Sequence, residues 1–191
     1  MIFSYDVKQY LKEGEKKDIE RHLRSNYPEI KLSPKKLTTK IRTNKKMASF
    51  INNLRNIGHS NDNLDYSSVS IDYFNDFDDL KLYFNFLQQD GWTGITFTAS
   101  QYSSDPYDRL STLCSKNAHE VIGQEFSNVV FVMDENFAYE GNELKAKPGR
   151  VYDANGMLYQ IVTRVVDELK IIVFNNPSLY LKLLEIKSMG E

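Results

Sequence analysis

The sequence predicts an α/β domain with a mostly parallel sheet flanked by helices. Three observations carry this. Strand-like and helix-like stretches alternate along most of the chain, the order that threads a parallel sheet through crossover helices. The stretch "NVVFVMD" is short and almost purely apolar, as suits a strand covered on both faces. The 191 residues are 41% apolar and 13% aromatic, enough for the core of one domain of slightly generous size.

The elements follow in order. Residues 15–25, "EKKDIERHLRS", read as a charged amphipathic helix that Tyr27-Pro28 ends. "KKMASFINNLRNI" places Met47, Phe50, Ile51 and Leu54 at three- and four-residue spacing, which is a second helix. "NIGHSNDNLDYSS" is a polar loop, and "SVSIDYF" alternates as a strand from Val69 to Phe74. Asn75 is the expected N-cap of a helix running to about Gln89, with Phe77, Leu80, Phe84 and Leu87 on its buried side and Gly91 as its stop. "TGITFTAS" and "NVVFVMD" are the next strands, residues 154–166 a helix, 169–174 a strand and 177–187 a closing helix. Residues 99–127 and 135–153 read as loop-rich. In folds of this class ligands sit beyond the carboxyl ends of the strands, so residues that follow strands are the first candidates for a site.

Net charge is −2, which removes any argument for nucleic-acid binding from total charge. The charge is nonetheless blocked: Lys31 to Lys46 holds seven basic residues and no acid, and Asp62 to Asp90 holds seven aspartates against a single lysine. Each block taken alone is an ordinary solvated face. One cysteine, Cys114, excludes an internal disulfide and fits a reducing compartment. No apolar run approaches the roughly 20 residues of a membrane span, and "MIFSYDVKQYLK" is too short and polar for a signal peptide, so the expected location is cytoplasmic with no membrane partner.

Four stretches hold the residues of chemical interest. They are "FSYDVKQYL" with Asp6, Lys8 and Gln9; "LTTKIRTNKKMASFI" with Arg42; "NAHEVIGQEFSNVVFVMD" with His119, Gly123, Gln124, Glu125 and Phe126; and "LYQIVTRVVDELKIIV" with Thr163 and Arg164. In this order and spacing they resemble motifs III, IV, V and VI of the second motor domain of a superfamily 1 helicase. More narrowly, they look like bacterial and phage proteins with a Schlafen-related helicase domain. The sequence departs from the family at Tyr5, Ile41, Ile122 and Val166, where glycine, tyrosine, lysine and a basic residue are usual.

The resemblance implies a RecA-like, P-loop-NTPase-type fold over residues 1–191, with residues 1–30 as the connection from a preceding RecA-like domain. That domain would be the chain's partner, together with single-stranded nucleic acid, DNA in preference to RNA. The cofactors implied are ATP and magnesium, held by the complete motor and not tightly by this chain alone. Arg164 would be the arginine finger, Arg42 a second γ-phosphate contact, and Gln9 a sensor of that phosphate or of the attacking water. Gly123 and Glu125 would line the nucleotide, with Glu125 on the ribose. His119, Thr98 and Tyr102 would face the nucleic acid.

A guanidinium that neutralises charge on a transferred phosphoryl group is worth about 10³–10⁵ in rate. Singly, the same residues have plainer readings: Arg164 paired with Asp167 or Glu168 on its own helix, Arg42 part of a basic face, His119 a structural histidine, Glu125 an exposed acid. The chain has no Gly-rich phosphate loop with its lysine and only nine glycines. Asp134-Glu135 imitates a magnesium-binding pair but follows the motif V resemblance, where such acids should precede "FSYD". The chain alone is therefore expected not to hydrolyse ATP. Two alternatives stay open: a non-catalytic nucleic-acid- or protein-binding module derived from a helicase domain, and a regulatory ATPase that never unwinds.

Overall fold

The computed structural model describes residues 19–29, 31, 43–59, 65–101, 107–114, 116–149 and 151–189. Its centre is a four-stranded, all-parallel sheet flanked by helices. The strands are β1 (Val69–Phe74), β2 (Thr93–Gly94), β3 (Phe126–Met133) and, last in sequence, a long strand Val165–Phe174. A separate antiparallel hairpin, β4 (Phe137–Glu140) with β5 (Glu143–Ala146), makes that last strand β6. The order across the sheet is β1-β6-β3-β2, so the strand made last lies between β1 and β3.

Helices α1 (Ile19–Asn26), α2 (Lys45–Arg55), α3 (Phe77–Gln89), α4 (Ala154–Val162) and α5 (Pro177–Ser188) complete the described chain, with a 3-10 helix at Asp108–Leu113. Side-chain alternation along β1 tells which helix covers which face. Asp72 accepts a hydrogen bond from the Tyr83 hydroxyl of α3 at 2.9 Å, whereas its neighbour Tyr73 packs on Tyr180 of α5 with ring centroids 5.4 Å apart. Helices α3 and α5 therefore lie on opposite faces. Lys170 of β6 projects to the α3 face, paired with Asp72 at 3.1 Å and set over the Trp92 ring at 5.3 Å. Between the helical layers, Val129 to Met133 and Ile171 to Phe174 are buried without a polar break, as the apolar strand predicts.

The local differences from expectation have local causes. The N-cap of α3 is Asp76 rather than Asn75: its carboxylate accepts from the N–H groups of Asp78 and Asp79 at 2.8 and 3.0 Å. The strand expected over "TGITFTAS" keeps its ladder only at Thr93–Gly94, because Thr96 leaves it to donate its N–H to the Lys116 carbonyl at 3.0 Å. The loop-rich stretch 135–153 contains the β4–β5 hairpin, turned at Gly141 with φ +61°. The expected helix 154–166 stops at Val162, where the Thr163 hydroxyl donates back to the Tyr159 carbonyl at 2.8 Å. Strand β6 then begins at Val165, and Asp167 and Glu168 stand exposed on a strand rather than beside Arg164 on a helix. The plainer reading of Arg164, a pairing with those acids on one helix, does not describe this geometry, since Asp167 and Glu168 belong to β6.

Candidate functional site

Because the sheet is wholly parallel, its strands share one amino edge and one carboxyl edge. The carboxyl edge is occupied by folding work. Asp76 caps α3, and Asn176 caps α5 by accepting from the Leu179 N–H at 3.1 Å. Asn176 also donates its amide to the carbonyls of Asp134 and Phe137 at 3.0 and 2.8 Å. Asp134, buried after β3, accepts from the backbone and side-chain amides of Asn136, and desolvation pushes its carboxyl above the ordinary aspartate value.

Five of the residues singled out from the sequence gather at the other edge. Gly123, Gln124 and Glu125 precede β3 and are exposed; Thr163 and Arg164 precede β6. The two stretches meet in space: the Phe126 N–H donates to the Arg164 carbonyl at 2.9 Å, and Nη1 of Arg164 donates to the Gln124 carbonyl at 3.3 Å. Gly123 takes φ +81°, a left-handed turn open to glycine with no Cβ penalty, and with nothing within 4 Å of a would-be Cβ the demand is conformational rather than steric. Site residues that follow strands, as the general rule for this class predicts, are here confined to Thr98, downstream of β2; Gly123, Glu125 and Arg164 lie at the opposite ends.

Arg164 itself is 1% exposed. Its Nε donates to the Gln160 carbonyl at 3.2 Å, one turn back on α4, and its Nη2 to the Thr163 hydroxyl at 3.2 Å. The guanidinium thus ties the end of α4 to the Gly123–Glu125 turn. Beside it, Gln160 is 1% exposed, and its Nε2 has no acceptor among the described residues. A finger standing at the domain surface is not the arrangement present; reaching an external anion requires this side chain to leave its carbonyl acceptors.

His119 and Thr98 are also brought together, with Nδ1 and Oγ1 at 2.6 Å. Asn117 Oδ1 accepts the N–H groups of His119 and Glu120 at 3.0 and 3.3 Å, which fixes it as the oxygen. The Thr98 hydroxyl lies 3.0 Å from that oxygen and 2.6 Å from His119 Nδ1, so it links the two side chains. The His119 ring packs on Tyr152 with centroids 4.7 Å apart, a contact the sequence did not signal. His119 is thereby held in one orientation, whatever else it does.

Arg42, Gln9 and Tyr102 lie outside the described residues, as do Asp6, Lys8 and the lysines at 35, 36 and 40. Among the described residues no group of three or more His, Cys, Asp or Glu side chains could hold a metal ion, and no helix is long and apolar enough to cross a membrane. The Cys114 thiol donates to the Lys116 carbonyl at 3.4 Å, and burial pushes its pKa up, away from nucleophilic chemistry. No protein family, curated protein or solved structure matches the chain.

Proposed function

We propose that this chain is the second, RecA-like motor domain of a superfamily 1 helicase or translocase. It presents the amino edge of β3 and β6 to ATP and magnesium held by a preceding domain. The observation that carries the reading is the meeting of the two stretches that resemble motifs V and VI: Arg164 N–H groups and the Gln124 carbonyl are 3.3 Å apart although 40 residues separate them. Glu125, exposed beside that junction, has the chemistry to accept hydrogen bonds from ribose hydroxyls. Arg164 supplies the cation once released from the carbonyls that hold it, and Arg42 and Gln9 are assigned to the same nucleotide by resemblance alone. Single-stranded nucleic acid runs past His119 and Thr98, with Tyr102 as a stacking candidate.

The test is nucleic-acid-stimulated ATP turnover by the protein that carries this domain behind its first motor domain. Arg164→Ala is expected to lower turnover by about a thousandfold or more, the range of arginine fingers. Glu125→Ala is expected to raise KM for ATP with a smaller effect on kcat. Turnover by Arg164→Ala within threefold of the parent would refute the assignment.

The burial of Arg164 favours a second reading, in which the domain has kept the fold and become a non-catalytic binding module. In that case the chain alone binds single-stranded DNA with strong salt dependence, loses it when Lys35, Lys36 and Lys40 are changed to Glu, and is indifferent to ATP.

A further inference from the structure

The geometry points to the outer face of α3 as a docking surface for a basic, amphipathic segment of a protein partner. Helix α3 turns Leu80, Phe84 and Leu87 into the core. On its other side it carries a second apolar row, Leu82 and Phe86, 69% and 58% exposed and one helical turn apart. These are two large side chains for which the fold has no use. The polar residues around them decide what fits. Asp78 and Asp79 lie a turn before Leu82, and Asp90 lies a turn after Phe86.

The first two acids have a reason within the helix, since carboxylates at an N-terminus meet its positive pole. Asp90 has none. It stands at the negative pole, and the last turn of α3 contains no basic residue to offset it. A row of two apolar anchors closed at both ends by carboxylates matches a helix with two apolar residues a turn apart, flanked by Lys or Arg. The same carboxylates repel nucleic acid and anionic lipid. They also oppose a second copy: an antiparallel α3–α3 pair brings Asp78 and Asp79 of one chain towards Asp90 of the other. This surface is independent of the nucleotide edge and of the function proposed for it.

The test uses a fluorescein-labelled helical peptide of Leu and Lys with its leucines on one face, and a scrambled isomer of identical charge. Binding to the wild-type chain is followed by anisotropy at two salt concentrations. The amphipathic peptide is expected to bind at least about tenfold more tightly than its isomer, to lose about tenfold on L82S/F86S, and to lose its salt dependence on D79N/D90N. Leu82 and Phe86 are exposed, so the thermal melt of L82S/F86S should match wild type; D79N gives up a favourable carboxylate at the N-terminus of α3 while D90N removes an unfavourable one at its C-terminus, so the second pair should shift the melt little. Equal binding of the two peptides, or binding unchanged by L82S/F86S, overturns the proposal. So does dimerisation of the wild-type chain in sedimentation that L82S/F86S abolishes, because the occupant is then a second copy.

Discussion

Replacing Gly94 by alanine puts one methyl group where the fold has no room. A Cβ at this position would stand 2.6 Å from Cε1 and 2.8 Å from Cζ of Phe84, and 3.3 Å from Cδ of Gln88. Favourable carbon contacts need about 3.5–4.0 Å, so the ring or the strand must retreat by about 1 Å. Gln88 is exposed and can yield. Phe84 is 0% exposed and packed between α3 and the sheet, so displacing its ring disturbs close-packed neighbours. The backbone at Gly94 carries no positive φ, so the penalty is steric rather than conformational. Overpacking of this kind costs about 1–3 kcal/mol. For a domain of this length that corresponds to a fall in Tm of about 2–12 °C. Urea unfolding of G94A, F84L and the double variant reads it directly. The double variant should recover about 1 kcal/mol relative to the sum of the singles, since the smaller side chain vacates the contested space. A G94A variant within about 0.5 kcal/mol of wild type, or strictly additive singles, would refute the argument.

Asn176→Ala removes a helix cap and abandons two carbonyls, those of Asp134 and Phe137, at a buried position; a loss of about 2–4 kcal/mol is expected in urea unfolding. Asp76→Ala should cost about 1 kcal/mol and Asn75→Ala close to nothing, which checks the position of the α3 cap by thermal unfolding. The Ser67 hydroxyl, then Lys46 and the Ser67 N–H, hold the Asp65 carboxyl down to about 2 from an ordinary value of 3.8. A depressed carboxylate stabilises the fold above its unfolded pKa and loses that contribution as pH falls through the folded one. Asp65→Asn should therefore be less stable than wild type at neutral pH, with the gap closing between about pH 4 and pH 2; a gap independent of pH would contradict it.

Period and composition were sufficient for the long elements. Helices α2 and α5, and strands β1 and β3, were legible because each buries one face or both, so their apolar spacing reports geometry. The end of α4 was not legible. Val162 and Val165 are both fully buried, and an apolar run gives the same signal in a helix and in the strand that follows it; only the Thr163 hydroxyl bonding back onto the preceding turn marks the break. The early departure of Thr96 from β2 depends on a carbonyl 20 residues away and has no local trace. At the candidate site, the sequence brought out Gly123, Glu125 and Arg164, and the sheet register places them side by side. Burial of the guanidinium could not be read, because it depends on which carbonyls the α4 terminus and the Gly123 turn happen to offer. The Tyr152 ring beneath His119 was missed for the same reason: the two meet only through tertiary packing.

The position of β6 between β1 and β3 has a consequence for how the protein is made. Val69 finds its ladder partner in Leu169, near the far end of the chain. While the ribosome is still extending the polypeptide, β1 has emerged without the one ladder partner it has among the described residues, and β3 waits likewise on one side. The sheet cannot close until its keystone strand arrives. A nascent or prematurely terminated chain lacking that strand would expose sticky edges to its neighbours, so this protein should lean on chaperones during synthesis and refold slowly by comparison with helical domains of its size.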